Sequence, residues 1–118
     1  MLNNVYGNYA TNNGGGSYLN NSINTTIIGS VYGNSAYCGG GVCLDSSISN
    51  TISGSVYNNS ADFGGGLYLY SSDYFTNTGW ITNNRASVSG GGVYTNTSHP
   101  NSYLGVGRVI NNIPNNFN

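Results

Sequence analysis

The side chains able to act as acids, bases, nucleophiles or metal ligands are few: Asp45, Asp62, Asp73, Arg85, Arg108, His99, Cys38 and Cys43. Hydrolysis or elimination on a polysaccharide needs either two cooperating carboxylates, or acids clustered around Ca²⁺ with a basic side chain nearby. When the chain is aligned on its own repeat, Asp45 falls level with Tyr70, Asp62 with Tyr37 and Asp73 with Ile48. No two acids share a column, and His99 stands alone in a polar stretch near Arg108. Two cysteines without histidine partners do not make a zinc site. The expectation is therefore a protein with no catalytic residue, no metal site and no cofactor, and not an enzyme.

Other residue types offer binding or covalent chemistry. Tyr6, Tyr32 and Tyr57 recur at one position of the repeat, and Tyr18, Tyr68 and Tyr94 at another. Both sets have outward parity and are candidate contacts for a neighbouring chain or for sugar rings. Cys38 and Cys43 flank a glycine triplet. Strict alternation directs Cys38 inward with Phe63 and Cys43 outward with the second tyrosine set. Two arrangements stay open: a local disulfide, which needs the alternation to break, or a buried Cys38 with an exposed Cys43 able to link chains. Asn20, Asn24, Asn58 and Asn96 each begin an Asn-x-Ser/Thr sequon, so they are glycosylation candidates if the protein is exported.

The elements that position these residues follow from the glycine triplets at 14–16, 39–41, 64–66 and 90–92, whose start-to-start spacings are 25, 25 and 26 residues. A fixed period of this length marks a solenoid. Phe63, Gly65, Leu67 and Leu69 have one parity, and Gly64, Gly66, Tyr68 and Tyr70 the other. Period-two alternation means strands, and columns that recur in the same sense favour parallel stacking over hairpins. The interior columns are expected to be Val31, Val56, Ile81 and Val109, then Ile27 with Ile52, Val42 with Leu67 and Val93, and Leu19 with Leu44 and Leu69. Ala10, Ala36, Ala61 and Ala86 make a small-residue column. Asn8, Asn34, Asn59, Asn84 and Asn112 occupy one bend, read as left-handed, with their amides bonding up and down the stack. The triplets are read as sites of close backbone approach, since a phosphate loop would need a following helix and usually a lysine. Thr26, Thr51 and Thr76 form a single file, short of the two ranks that an ice-binding face would need.

The whole chain, residues 1–118, reads as one all-β domain: a right-handed parallel β-helix of about four and a half coils, about 22 Å tall, with an irregular loop insertion at about 95–107 that leaves the wall. A fifth repeat begins at Gly107 and stops at Asn112. Nineteen glycines, eleven tyrosines and 4% charged residues set the composition apart from both ordinary globular proteins and charged disorder. With two arginines, no lysine and a formal charge of −1, nucleic acid and anionic membrane are not expected partners. No apolar run approaches a membrane span of about 20 residues, and Met1-Leu-Asn-Asn does not resemble a signal peptide.

The pattern Asn-x-Ala-x-x-Gly-Gly-Gly-x-Tyr, with an apolar-x-Gly-x-apolar segment before it, runs over roughly residues 4 to 112. It resembles the right-handed parallel β-helix repeats of polymorphic outer-membrane proteins, autotransporters and adhesin-like surface proteins. The resemblance implies an extracellular or cell-surface location and a role as stalk, adhesin or scaffold. The expected function is a structural module whose copies add head to tail into a fibre, sheath or stalk, because both ends fall in mid-repeat without polar capping units. Its alternative is a carbohydrate-binding or adhesive module of a larger surface protein, with surface glycans as partners.

Overall fold

The computed structural model describes residues 4–96 and 101–118. In chain order the strands are β1 (Val5–Tyr6), β2 (Ser17–Asn20), β3 (Thr26–Ile27), β4 (Val31–Tyr32), β5 (Val42–Asp45), β6 (Thr51–Ile52) and β7 (Val56–Tyr57). They continue as β8 (Ser60–Phe63), β9 (Leu67–Tyr70), β10 (Thr76–Asn77), β11 (Ile81–Thr82), β12 (Arg85–Ser89), β13 (Val93–Thr95) and β14 (Val109–Ile110). Each strand pairs in parallel with its counterpart about 25 residues away, giving sheets β1-β4-β7-β11-β14, β2-β5-β9-β13, β3-β6-β10 and β8-β12. The chain is a parallel β-solenoid of about four turns, as the repeat requires.

The core is the set of stacked apolar columns. Val31, Val56, Ile81 and Val109 are in register and buried, with Val5 packed below them. Val42, Leu67 and Val93 form a second column, and Leu44 and Leu69 a third above Leu19. Such strands are too short to be stable alone, so each coil depends on apolar contact with the next.

The bends show how polar residues serve this stack. The Asn34 Oδ1 accepts from both the backbone N–H and the Nδ2 of Asn8. Asn59 does the same for Asn34, Asn84 for Asn59, and Asn112 for Asn84, at 2.9–3.1 Å. The Nδ2 of Asn34, Asn59, Asn84 and Asn112 also donates to the carbonyl of the apolar column one coil back, as Asn59 does to Val31 O at 3.0 Å. One correction follows: the left-handed residues are not the ladder asparagines but those before them, Gly7, Gly33, Asn58, Asn83 and Asn111. That left-handed corner turns the next N–H out of the strand ladder, and the amide of the following coil supplies its acceptor.

The same device recurs at a second bend. Left-handed Asn21 and Ser46 precede Ser22 and Ser47, whose N–H groups donate to the hydroxyls of Ser47 and Ser72. Among the described residues no buried side-chain nitrogen or oxygen lacks a partner.

At the C-terminal end the chain departs from the expected course. Of the irregular stretch at about 95–107, residues 97–100, with His99 and Pro100, lie outside the described residues. Residues 101–107 run along the wall: Tyr103 bridges Thr76, and Leu104 packs against the core. Nor does the fifth repeat stop at Asn112. Ile113 bridges Arg85, Phe117 bridges Val93 and packs on the core, and Asn116 Oδ1 accepts from Asn112, extending the ladder. The segment 113–118 lacks the Gly-Gly-Gly signature, so periodicity could not flag it as a coil.

Candidate functional site

The first tyrosine column is continuous. Rings of Tyr6 and Tyr32 stack with centroids 5.1 Å apart, and those of Tyr32 and Tyr57 at 5.0 Å. These distances are close to the spacing of parallel strands, so the ladder follows from coil register alone. Tyr6 is well exposed and the other two are half-buried. The second column is interrupted. Tyr68 and Tyr94 stack at 5.2 Å, but Cys43 stands between Tyr68 and Tyr18 in register. Tyr18 instead donates its hydroxyl to Asp45 Oδ2 at 2.9 Å, a contact that raises its pKa.

Cys38 departs from the parity reading, and Cys43 keeps its outward parity but not its exposure. Phe63, in register with Cys38, packs edge-on against Tyr94 of the outward column and lies outside the core cluster. The reason is the first glycine of each triplet: Gly39 and Gly64 both have φ +66 and reset the alternation at the corner. Cys38 thus shares a small cavity with Cys43 and Tyr68 on the outward side. Nor is Cys43 exposed. It is 1% accessible, covered by the wider side chains of its column, and both thiols are free. That burial does not fit the exposed position that a chain-linking Cys43 would need.

Desolvation, followed by the neighbouring Cys38, pushes the Cys43 thiol up to about 12, and desolvation likewise raises Cys38. The thiolate is the reactive form, so native Cys43 should react with iodoacetamide at pH 8 at least about 100-fold more slowly than in the unfolded chain. Because the folded pKa lies above the unfolded one, this thiol contributes stability below about pH 9 that fades as pH rises towards 12. Mass spectrometry of pulse-alkylated protein reads this directly, and rapid Cys43 labelling at pH 8 would contradict the buried position.

The three carboxylates hold separate partners. Asp45 accepts from Tyr18 and Ser46, Asp62 from Ser87 at 2.8 Å, and Asp73 from Tyr74 N–H, Asn101 and Ser102. Slight desolvation pushes Asp73 up, but those hydrogen bonds outweigh it and hold its carboxyl below the ordinary value. Among the described residues no three His, Cys, Asp or Glu side chains gather as a metal site. The sequon residues Asn20, Asn24, Asn58 and Asn96 are all exposed, Asn24 and Asn58 at left-handed bends.

One surface feature escaped the sequence reading. Beside the alanine column runs an open trough of about 420 Å³. One rim carries Tyr9, Ser35, Ser60 and Arg85, which are in register, and the other carries Thr11, Tyr37, Asp62 and Ser87. Its composition changes from coil to coil, so a search for recurring columns passes over it.

Fold and surface together define a parallel β-solenoid repeat protein. No family model, curated protein or solved structure matches the chain.

Proposed function

We propose that this solenoid is a non-enzymatic structural module of the cell surface or extracellular space, whose coils propagate head to tail into a fibre, sheath or stalk. The observation that carries the reading is the axial continuity of its ladders. Amide, hydroxyl and ring columns all repeat along one direction, and each bonds the coil above to the coil below. Among the described residues β1 and β14 are the outer strands of sheet β1-β4-β7-β11-β14, and both carry apolar residues of the same column. A second copy of β1 laid on β14 would continue both that column and the parallel ladder.

With 4% charged residues, little repulsion opposes such stacking. All four sequon asparagines are exposed, so on an exported chain each is open to glycosylation. We read the likeness to adhesin-like surface proteins in the same sense, as a module of a larger surface structure.

The test is sedimentation of the purified chain over a hundredfold concentration range, with negative-stain microscopy of the heaviest fractions. Mass should rise with concentration and rods should appear whose width matches the 27–33 Å extents of one subunit. A monomer at every concentration would refute self-assembly. The second reading, a carbohydrate-binding or adhesive module, is favoured by the trough.

A further inference from the structure

We propose that the trough beside the alanine column binds a neutral saccharide. The inference goes beyond the structural reading and does not rest on self-assembly. Its first support is charge. The trough holds one carboxylate, Asp62, and one guanidinium, Arg85, so it favours neither an anion nor a cation. A polyol uses both without carrying charge, since each hydroxyl donates to a carboxylate and accepts from a guanidinium. Ser35 and Ser60 on the rim do either.

The second support is the aromatic wall. Tyr9 and Tyr37 are 76% and 50% exposed, and both border the trough. The C–H face of a sugar ring packs well on such rings, which combine an apolar face with a polar tip. Tyr37 is moreover held in place: its ring sits edge-on to Phe63 at 5.8 Å, and Phe63 sits edge-on to Tyr94 at 5.2 Å. Asp62 is likewise oriented by the Ser87 hydroxyl at 2.8 Å, and Arg85 stands on a backbone whose N–H bonds Asn59 O at 2.9 Å. Tyr37 and Asp62 are thus partly ordered before binding, which lowers the entropy cost at these two side chains.

The third support is shape. The wall segments at Ala36 and Ala61 lie between the two rims, and with the alanines placed between the outward residues of each segment nothing large rises there to block a ring. The volume falls in the usual range of ligand sites, about 300–1,000 Å³. An open trough fits a ligand that extends beyond it along the axis, as an oligosaccharide does.

The experiment titrates ¹⁵N-labelled full chain with cellotetraose, chitotetraose and maltotetraose, reading amide shifts. At least one probe should bind with a Kd in the millimolar range or tighter, with shifts centred on Ser35, Ala36, Tyr37, Ala61 and Asp62. Tyr37→Ala should weaken binding at least about tenfold, and Asp62→Asn and Arg85→Gln at least about threefold each. Should Tyr37→Ala fail to fold, the two polar variants carry the test. Absence of titratable shifts with all three probes would overturn the proposal, as would shifts centred on Tyr6, Tyr32 and Tyr57, or unchanged affinity in the variants. Sedimentation of the same samples separates this result from the fate of the assembly reading.

Discussion

Replacing Gly66 by alanine is expected to cost about 3–5 kcal/mol and to lower Tm by about 15–30 °C. Gly66 is the third glycine of its triplet, where coil meets coil and core meets bend. A Cβ there would come within 2.7 Å of Gly92 O, 2.8 Å of Asn84 Nδ2 and 2.9 Å of Ile81 Cγ2. The first is backbone of the next coil, the second belongs to the amide ladder, and the third is a core methyl. None is the free end of a flexible side chain, so relief requires moving a coil, and one moved coil disturbs both neighbours. Gly107→Ala is the control. Nothing lies within 4 Å of its Cβ position, so stability should change by less than about 0.5 kcal/mol, or rise slightly as the unfolded chain loses freedom. Thermal melts followed by circular dichroism compare the two, and a Gly66→Ala variant melting within a few degrees of the parent would show that the coils are looser than the contacts imply.

The second large effect is expected at Asn59. This residue is 1% exposed and sits mid-ladder. Its Oδ1 accepts from the N–H and Nδ2 of Asn34, and its Nδ2 donates to Val31 O and Asn84 Oδ1. Asn59→Leu keeps the volume but strands the Asn34 N–H and one Nδ2 hydrogen of Asn34 in a dry interior. At about 1–3 kcal/mol for each of the two unsatisfied groups, the cost is about 2–6 kcal/mol, a large part of the 5–15 kcal/mol typical of a domain. Asn8→Ala, at the exposed start of the ladder, should cost less than about 1 kcal/mol.

Asn59→Asp sharpens the test through pH. The new carboxylate would face two acceptors, Val31 O and Asn84 Oδ1, so its folded pKa would lie above the unfolded value near 3.9. The folded state then binds more protons than the unfolded one, and stability must rise as pH falls from 7 towards 4. Denaturant titrations at several pH values would show it. Equal stability at pH 7 and pH 4 would mean that the amide donor is not needed.

Register was legible from residue types. Val31, Val56, Ile81 and Val109 fall at one position of a period close to 25, and like residues stack on like in a parallel solenoid, so naming the column also names its contacts. The tyrosine stack from Tyr6 to Tyr57 follows for the same reason. Phe63 and Cys38 were misplaced because parity is valid only while the backbone stays extended. At Gly39 and Gly64, with φ +66, it does not, and everything before the corner changes face. Cys43 was misjudged for a different reason: it does point away from the core, yet its neighbours are larger than it is and close over it.

What the sequence by itself determined is the lattice: one coil per repeat, which columns are apolar, and which asparagines climb the bend. Periodicity suffices for this because every coil solves the same packing problem and sees the same neighbours. Only the tertiary structure decided what breaks the repeat. The segment 113–118 continues the wall without its signature, the two cysteines line one cavity on the outward side, and Tyr37, Asp62 and Arg85 from three successive coils line one trough. The geometry of these juxtapositions depends on corner angles and side-chain sizes that no recurring column encodes.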